Sequence, residues 1–375
     1  MNFHPTFAPA TGFKQALETH VDEYFRRAGI SKTGNFWMYL KATLILAWLA
    51  GSYYLLVFYV THGLAGVLAG LSLALAMAAV GFNIQHDGNH GSFSSRPWMN
   101  RLAGLTLDLV GGSSYLWIRK HNFSHHTFTN IPQVDDDIDL GPIGRLSLEI
   151  PLRSYHRYQH YYLWFFYTML VLQWHFYSDY KKLWTGKVGE RTFGPPRGRD
   201  WAGVVAGKIF FLSLAFIIPL LRHPWWVVVT SYLLVTMAVG LVISVVFQLA
   251  HVVEEVEHPA FVEDAHAEWV IHQIRTTADF AQDNRLLTWY LGGLNFQVIH
   301  HLFPRICHVH YPQVARVVAQ VCREYQINYR SHPSVSSAIR SHFRFLRLMG
   351  RAQLQPPSFA LPAPETPANT SAMSG

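Results

Sequence analysis

The chain has 375 residues, of which 50% are hydrophobic and only 14% are charged, a composition typical of an integral membrane protein. Its two cysteines, Cys307 and Cys322, have no CxxC spacing, which excludes both a disulfide-stapled secreted scaffold and a thiolate metal site. The net charge of +7 would favour nucleic-acid binding only with a recognisable binding motif, and the sequence contains none.

The N-terminal segment, residues 1–35, is predicted to be cytosolic and to carry one amphipathic helix. It has no cleavable signal pattern, and the helix runs over residues 13–28 with Thr11 and Gly29 as its caps. One face of this helix is apolar and consists of Phe13, Leu17, Val21, Tyr24 and Phe25. That face predicts a helix lying at the membrane interface beside the first span, or equally a helix packed into a protein core.

Four apolar runs are long enough to cross a bilayer, which needs about 20 residues per helix. The runs are 36–60, 64–85, 204–221 and 225–249. Short tips at 61–63 and 222–224 join them in pairs, and Arg222 is the only lysine or arginine in either tip. Because lysine and arginine favour the cytoplasmic side, we expect the tips to face away from the cytosol. The predicted fold is an all-α integral membrane protein with four transmembrane helices in two hairpins and a cytosolic helical cap.

Histidines are concentrated in three short clusters that lie beyond or away from these runs. The clusters are His86-Asp-Gly-Asn-His90, His121-Asn-Phe-Ser-His125-His126 and Gln297-Val-Ile-His300-His301. Imidazoles at fixed spacing are typical ligands of a borderline transition metal such as iron or zinc. About eight of them are too many for one ion, since tetrahedral zinc takes four ligands and octahedral iron takes six. The clusters therefore predict two metal ions that share one site at a membrane surface.

Spacing alone is a weak signal for His86 and His90, because 22 histidines in the chain produce about one HxxxH pair by chance. Their position directly after the second run is the stronger signal, although Gly88 lowers helix propensity there. His156 and His160 have the same spacing and are interpreted as ordinary surface histidines.

His251 and Gln297 complete the candidate ligand set. His251 follows the fourth run as His86 follows the second, so the two rings are expected at the same depth, with a helix-end histidine contacting carbonyl groups as the alternative. Gln297 either coordinates through its side-chain oxygen or holds a water molecule. Ligating histidines need a carboxylate, amide or carbonyl group on their other ring nitrogen. The candidates for that role are Asp87, Asn122, Asp135, Asp137, Asp139, Glu254, Asp279 and Asn295, with a solvated loop as the alternative for 135–137.

Two additional apolar stretches, 102–118 and 161–177, are not predicted to span the membrane. All three clusters must reach one face, so an even number of crossings separates each cluster from the next. The first stretch is broken by Gly104, Asp108 and Gly111, and we expect it to be buried or re-entrant. The second is crowded with Tyr, Trp and Phe, which suit the headgroup zone, and we expect it on the membrane surface.

Segments 86–91, 120–131 and 292–304 resemble the three histidine boxes of membrane fatty acid desaturases. They read His-Asp-Gly-Asn-His-Gly, Lys-His-Asn-Phe-Ser-His-His-Thr-Phe-Thr-Asn-Ile and Gly-Gly-Leu-Asn-Phe-Gln-Val-Ile-His-His-Leu-Phe-Pro. The resemblance covers roughly residues 35–330. Gln297 in place of a first histidine is similar to the front-end branch, which is related to linoleoyl-CoA and delta-6 desaturases. Front-end enzymes place a new double bond between an existing one and the carboxyl end.

The resemblance implies a fatty acyl desaturase that inserts a cis double bond into an acyl chain carried on CoA or in a lipid. It implies dioxygen as co-substrate, two iron ions as the cofactor and no catalytic residue beyond the metal centre. It also implies an active site at the cytoplasmic face of a multi-pass, mushroom-shaped membrane domain over residues 36–352. The implied metal ligands are His86, His90, His121, His125, His126, His251, Gln297, His300 and His301.

Many front-end desaturases carry a fused cytochrome b5 domain with a His-Pro-Gly-Gly motif, and this chain has no such motif. Only residues 1–35 precede the first run, and an independent domain normally needs about 50 residues. We therefore expect two electrons per turnover from an external donor, a ferredoxin or a cytochrome b5-type protein, with its reductase. The expected docking surface is basic and includes Arg119, Lys120, Lys181 and Lys182.

An acyl chain has no polar handle near the reacting carbons, so regioselectivity is expected to come from the length and bend of a tunnel. Tyr115, Trp117, Trp289 and Phe296 could line it, with plain core packing as the alternative. A histidine-rich di-iron hydroxylase on the same scaffold is an alternative function, and a membrane metal transporter is a less favoured one. Residues 353–375 are rich in Pro, Ala, Ser and Thr and are predicted to form a disordered tail.

Overall fold

The structure is a computed structural model, and it describes residues 5–60, 63–189, 191–194, 196–260 and 265–352. Two predictions concern residues outside these ranges, namely the first hairpin tip at 61 and 62 and the tail at 353–375. The described residues are mostly helical, and their strands are three short pairs.

Within the described ranges, four helices are long and apolar enough to cross a membrane, as the four apolar runs predict. They are span 1 (Phe36–Tyr59), span 2 (Gly63–His90), span 3 (Arg199–Leu220) and span 4 (Trp225–His251). Asn35 caps the N-terminus of span 1, because its side-chain oxygen accepts a hydrogen bond from the Met38 N–H. Spans 2 and 4 continue past their predicted ends to His90 and His251, so candidate ligands lie on their last turns.

Polar and small side chains join the spans along their length. Trp48 Nε1 donates to Ser72 Oγ at 2.9 Å, which links span 1 to span 2. Leu73 of span 2 packs in one cluster with Val235 and Val239 of span 4. Apolar side chains on the outer faces are exposed, which suits contact with lipid, and they include Leu44, Leu68, Ile209 and Leu234.

The apolar stretch at 102–118 forms short helices that do not span. It contains the helix Pro97–Leu109, a break at 110–113, the helix Ser114–Trp117 and the start of a π-helix, Ile118–His125. Gly111 has a φ of 96°, which side-chain-bearing residues rarely adopt, so the chain turns there instead of continuing the helix. The predicted interruption therefore occurs at Gly111, whereas Gly104 and Asp108 lie inside the helix Pro97–Leu109 and do not break it.

The stretch at 161–177 lies along span 4. It runs through the helices Gln159–Thr168 and Leu170–Gln173 and the π-helix Trp174–Ser178 into the helix Asp179–Thr185. Ser244 Oγ of span 4 donates to the Tyr167 carbonyl at 3.1 Å. A Cβ at Gly240 would lie 2.6 Å from the Thr168 carbonyl oxygen, so this glycine permits the close packing. The stretch is thus half-buried against a span, with aromatic side chains exposed on its other side.

The N-terminal helix, Gly12–Ala28, packs into a protein core. Thr11 Oγ1 accepts from the Phe13 N–H, and Gly29 ends the helix with a φ of 62°, as the predicted caps require. Its apolar face packs against the helix Tyr311–Glu324, in a cluster that includes Leu17, Val21, Val314 and Val318. The core-packing alternative therefore describes this helix, because its apolar side chains are buried within the protein.

The remaining elements connect and cover the spans. The other helices are Gly141–Ile143, Ser154–Tyr158, Trp269–Arg275, Arg285–Tyr290, Gln297–Leu302, His308–His310, Tyr311–Glu324 and Val335–Met349, with spans 1 to 3 containing π-helical turns at Leu55–Tyr59, Gly81–Gln85 and Ser213–Ile217. The strand pairs are Thr6–Phe7 with Ala265–His266, Lys187–Val188 with Arg191–Thr192, and Asp279–Phe280 with Ser331–His332. The second pair is antiparallel and the other two are parallel.

Candidate metal centre

The first histidine cluster occupies the last turns of span 2. This span changes to a π-helical turn at Gly81–Gln85 and returns to an α-helix at His86–His90. His86 and His90 are four residues apart and therefore share a face, with ring centroids 4.7 Å apart. Gly88 lies between them, and a Cβ there would be 2.4 Å from the Gly104 nitrogen. The glycine that weakens helix propensity thus lets the helix Pro97–Leu109 approach and position the cluster.

The second cluster lies on the π-helix Ile118–His125. The His126 N–H donates to the His121 carbonyl at 3.0 Å, which is the i→i+5 bond of a π-helix. In an α-helix, a residue five positions further on points about 140° away from the first. Here the ring nitrogens of His121 and His126 are 3.2 Å apart, and the His121 and His125 centroids are 5.1 Å apart. The wider turn therefore directs all three histidines into one region.

The third cluster occupies the short helix Gln297–Leu302. Asp279 holds the first turn of this helix, because its Oδ1 accepts from the Val298 N–H at 2.8 Å. The strand that carries Asp279 is itself fixed by pairing with Ser331 and His332. His300 and His301 are consecutive, so their side chains point about 100° apart and can serve different metal positions.

The structure brings the predicted histidines into two groups of ring nitrogens. One group comprises His86, His90, His121 and His300. The other comprises His125, His251 and His301. Within each group the candidate ligand atoms lie within 4.8 Å of one another. His126 also clusters with His300 and His301, and Gln297 Nε2 is 2.9 Å from His251 Nε2, so every predicted ligand reaches this region, and all are buried.

The donor set fits metal ions because several ring nitrogens have no other partner. Nε2 is buried and makes no hydrogen bond to any described residue in His90, His125, His300 and His301. An unpaired buried polar atom costs about 1–3 kcal/mol, so the cluster needs a ligand that accepts these lone pairs. Borderline transition-metal ions are such ligands.

Four of the candidate ligand rings are held in the form that binds metals. Burial lowers the pKa of His126, His300 and His301 well below the usual 6.5, and the neighbouring histidines lower it further. Burial also lowers the pKa of His121 to about 3, although Asp137 acts in the opposite direction. These imidazoles are therefore neutral at pH 7, and neutral imidazole is the metal-binding species.

Two of the predicted carboxylates hold rings of the second cluster. Asp135 Oδ2 is 2.9 Å from His125 Nδ1 and also accepts from the Asn130 N–H at 2.9 Å. Asp137 Oδ2 is 3.4 Å from His121 Nδ1. A carboxylate on Nδ1 fixes the tautomer and leaves Nε2 for the metal. Asp135 is 1% exposed, so the solvated-loop alternative for 135–137 is wrong.

Two lysines balance this acidic run. Lys120 Nζ is 2.6 Å from Asp137 Oδ1, and Lys182 Nζ is 2.5 Å from Asp136 Oδ2. Burial acts to raise the pKa of Asp137, but Lys120, His121 and His125 together outweigh burial and hold the pKa well below the usual range. Asp136 and Asp137 therefore stay ionised.

The predicted basic docking surface for the electron donor is wrong, because most of its charges are paired within the protein. Lys120 and Lys182 are ion-paired and mostly buried, and the Arg119 guanidinium stacks 3.4 Å from the centre of the Tyr115 ring. Of the four basic residues in the prediction, Lys181 alone is exposed. The other three contact groups of the protein itself, so the four residues do not form a free basic face.

The other predicted partners of the ring nitrogens have different roles. Asp87 Oδ2 accepts from His308 Nδ1 at 2.9 Å and from Cys307 Sγ at 3.0 Å, while Asp87 Oδ1 is 4.0 Å from His86 Nδ1. Asp279 accepts a hydrogen bond from the Val298 N–H and so holds the backbone of the third cluster. The remaining four, which bond elsewhere, are Asn122 to the Asn89 carbonyl, Asp139 to the Gly141 N–H, Glu254 to Arg344 and Asn295 to Thr288.

The sequence analysis missed Thr129 Oγ1, which is 3.2 Å from His301 Nδ1, and three groups from more distant segments that hold ligand rings. They are Gln273 Oε1 at His301 Nδ1 (2.8 Å), Tyr311 Oη at His300 Nδ1 (3.2 Å) and the Thr276 carbonyl at His251 Nδ1 (3.4 Å). No spacing relates these residues to the clusters, and the fold alone brings them together. They supply the amide, hydroxyl and carbonyl partners that ligating imidazoles need.

His156 and His160 are buried, which corrects their interpretation as surface histidines. His156 Nδ1 accepts from the Arg153 N–H at 3.1 Å, and its Nε2 donates to the Pro142 carbonyl at 3.0 Å. His160 packs against the ring of Phe343. Both side chains bond or pack away from the two imidazole groups and are structural.

The four aromatic residues expected to line a tunnel have different surroundings. Trp117 stacks on the His121 ring with centroids 4.2 Å apart and therefore borders the metal centre. Phe296 belongs to the core beneath the N-terminal helix, which is the alternative interpretation. Trp289 lies 5.2 Å from Lys41 Nζ and Tyr115 lies under Arg119.

The carboxyl group of Asp279 makes the stability of the third cluster depend on pH. Burial raises its pKa from 3.8 to about 7, although hydrogen bonds from Tyr329, Val298 and Gln282 act in the opposite direction. The folded protein therefore binds one proton more than the unfolded chain between about pH 4 and pH 7, and this contribution to stability is lost as the pH rises through that window.

We expect the Tm of the wild type to fall, relative to that of Asp279→Asn, as the pH rises from about 4 to 7. The difference between the two proteins isolates this group from the buried histidines, which titrate with the opposite sign. Asp283→Asn, at an exposed position nearby, is the control and should follow the wild type. Parallel Tm curves for wild type and Asp279→Asn would contradict the assignment.

Comparison with known proteins gives concordant results. The fatty acid desaturase family model matches residues 61–333. The chain is 39% identical to an sn-1 linoleoyl-lipid 6-desaturase of Arthrospira platensis, over 92% of this chain and 94% of the relative. It is 38% identical to an sn-1 linoleoyl-lipid 6-desaturase of Synechocystis sp., over 92% of this chain and 98% of the relative. An acyl-lipid (8-3)-desaturase of Physcomitrium patens is 32% identical to the chain, over 92% of this chain and 72% of the relative.

Proposed function

The chain belongs to the fatty acid desaturase family and is a fatty acyl desaturase of front-end character, and we propose that it acts on the acyl chains of membrane lipids at a centre of two iron ions. The observation that carries the proposal is the pair of buried imidazole groups with unpaired Nε2 atoms. Two groups of this kind suit two metal ions that act together on one substrate.

The proposed topology is two hairpins, spans 1 and 2 and spans 3 and 4, within a membrane domain over 36–352. The histidine ends of spans 2 and 4 face the cytoplasm beneath a helical cap, and residues 1–35 form an N-terminal cytosolic segment. Its support is that the ends at His90 and His251 meet in one cluster, so both lie on the same side of the bilayer. The second tip, at 222–224, carries a single basic residue, Arg222, and a low content of lysine and arginine is typical of non-cytoplasmic loops.

The proposed metal ligands are the histidines of the two groups, with His126 between them. Gln297 is the remaining candidate, and it stands where its amide touches the ring of His251. When bound, two iron ions supply the dioxygen chemistry that removes two hydrogen atoms from neighbouring methylenes. Each turnover consumes dioxygen, two electrons and two protons and yields the cis double bond and two water molecules.

The contributions of the protein are orientation and exclusion of water. Asp135 and Asp137 orient His125 and His121, and Gln273 orients His301, so each ring presents Nε2 to the metal. The whole cluster is buried, which keeps bulk water from the reacting carbons. Trp117 covers one side of the centre with an apolar ring.

A lipid-bound substrate is favoured over a CoA ester by the relatives. Two of them, which this chain matches over 92% of its length, are described as sn-1 linoleoyl-lipid 6-desaturases. The proposed substrate is therefore an acyl chain esterified in a membrane lipid that already contains a double bond. The new bond is placed between that bond and the carboxyl end.

The test is expression in a host that lacks polyunsaturated lipids, with single fatty acids supplied in turn. Lipids are then isolated, their double bonds are located by mass spectrometry, and lipid and CoA pools are analysed separately soon after feeding. We expect a new double bond on the carboxyl side of an existing one, first in the lipid pool, and two iron ions per purified chain.

Hydroxylated acyl chains in place of alkenes would instead favour a di-iron hydroxylase on the same scaffold. Appearance of the alkene first in the CoA pool would contradict the lipid substrate. Purified protein without stoichiometric iron would contradict the metal centre.

A further inference from the structure

A row of arginines lies along one face of the helix Val335–Met349. Arg340, Arg344 and Arg347 are four and three residues apart, which places them on the same face, and Arg351 follows shortly after the helix end. All four are exposed. We refer to these residues as the arginine face, and the helix that carries it contains no Asp or Glu.

Little within the protein neutralises this face. Arg344 is 3.3 Å from Glu254, whereas Arg340 and Arg347 form no ion pair with any described residue. Like charges at i,i+4 and i,i+3 repel one another, so such a face lowers the stability of an isolated helix. Uncompensated arginine on a surface is instead typical of a site for an acidic partner, because guanidinium groups bind carboxylates bidentately.

The opposite face of the same helix contacts the chain beside the metal centre. His342 is buried, and its Nδ1 donates to the Val252 carbonyl at 2.6 Å. Val252 is bonded to His251, a member of the second imidazole group. Ser341 Oγ accepts from the Glu254 N–H at 2.9 Å and reinforces this contact. The arginine face therefore lies about one helix diameter, roughly 10 Å, outside the segment that carries His251.

We propose that the arginine face is the docking surface for an acidic, soluble one-electron carrier protein. This inference rests on the proposed function, because each turnover needs two electrons from outside the chain. The carrier binds, transfers one electron toward the His251 side of the cluster, leaves oxidised, and is replaced by a second reduced molecule. The face replaces the surface around Lys120 and Lys182, whose charges are already paired.

An anionic membrane surface is the competing partner, and the packing of the helix argues against it. Helices that lie on membranes insert an apolar face between the lipids. Here that face is occupied inside the protein by Ala338, Phe345 and Leu346, which are buried. The outer face of the helix is then mostly charged, with Leu348 as an exposed apolar side chain beside Arg347. Charge complementarity is what speeds the encounter of soluble proteins.

The experiment uses the full-length protein in vesicles of neutral lipid that contain its acyl-lipid substrate. Reduced [2Fe–2S] ferredoxin of plant type and the soluble haem domain of cytochrome b5 are the two carriers tested. The variant is R340E/R347E, and the matched control is R316E/R323E, which reverses two exposed charges on the helix Tyr311–Glu324. In the docking-free control, the enzyme is reduced with dithionite without dioxygen, the excess dithionite is removed, and dioxygen is then admitted, so that a single turnover proceeds without a carrier.

We expect R340E/R347E to raise the KM for at least one carrier by about 10-fold at low ionic strength and to flatten its salt dependence. The kcat at saturating carrier and the dithionite-driven rate should stay unchanged, as should all parameters of the control. R340K/R347K should keep the low KM, and carbodiimide treatment should then cross-link the carrier to positions 340 and 347.

Several results would overturn the proposal. An unchanged KM for both carriers in R340E/R347E would do so, as would failure of both carriers to support the wild-type turnover that dithionite drives. Loss of the dithionite-driven rate in the variant would indicate a structural role. Weaker sedimentation of the variant with anionic vesicles, at unchanged carrier KM, would assign the face to the membrane. A wild-type protein that forms no alkene with dithionite would instead contradict the proposed function itself.

Discussion

Replacing His125 by alanine is expected to reduce desaturation below detection and to remove most of the bound iron, while the protein still inserts into the membrane. His125 is fully buried, its Nδ1 is held by Asp135, and its Nε2 has no hydrogen-bond partner among the described residues. Alanine therefore removes a candidate ligand with no substitute nearby. Product analysis and iron content per purified chain measure the two effects.

Two companion variants make this result specific. Asp135→Asn keeps the shape of the side chain but weakens its hold on His125, and we expect activity to fall by about 10–100-fold with part of the iron retained. His156→Ala should lower the Tm, because it removes hydrogen bonds to Arg153 and Pro142, but should keep the iron content and the activity per folded chain. Normal activity of His125→Ala would rule out His125 as an essential ligand.

Gly88→Ala is expected to disrupt the first histidine cluster although it changes no polar atom. The added Cβ would meet the Gly104 nitrogen at 2.4 Å and the Ala103 carbonyl carbon at 2.7 Å, both of them backbone atoms that cannot rotate away. Forcing extra atoms into a packed contact costs about 1–3 kcal/mol. We expect the helix Pro97–Leu109 to move, the rings of His86 and His90 to shift, and activity and iron to be largely lost.

Gly51→Ala provides the matched control for this prediction. Gly51 also lies inside an α-helix of a span, but nothing lies within 4 Å of the position where its Cβ would be. Alanine there should raise stability by about 0.4–1 kcal/mol, since it reduces the freedom of the unfolded chain. Thermal unfolding and iron content are measured for both variants. A loss of stability and iron in Gly88→Ala alone would show that the close contact, and not helix propensity, decides the outcome. Equal behaviour of the two variants would show that the contact at Gly88 is unimportant.

The parts of this fold that depend on local sequence could be predicted. Hydropathy located the four spans, because crossing a bilayer requires about 20 consecutive apolar residues whatever their neighbours are. Spacing indicated the histidine clusters, because ligands on one face of a helix recur at fixed intervals, and for His86 and His90 the position directly after the second run was the stronger signal. The caps of the N-terminal helix at Thr11 and Gly29 followed from the same kind of local rule.

The parts that depend on tertiary contacts could not be predicted. Gln273 and Tyr311 reach His301 and His300 from other helices, and no local pattern encodes such a meeting. Lys120 was assigned to the surface by its charge, yet Asp137 compensates that charge in the interior. His156 was misplaced for a related reason, since buried hydrogen-bond partners satisfy a polar side chain as well as water does.

The π-helical turns at Gly81–Gln85 and Ile118–His125 make the metal centre depend on backbone register as well as on the identity of its ligands. A π turn closes over one residue more than an α turn, so it accommodates one extra residue within the helix. Straightening either turn into the commoner helix at unchanged chain length would rotate each side chain beyond it by about 100° around the axis. The lipid-embedded scaffold would then be intact, but its ligands would no longer converge.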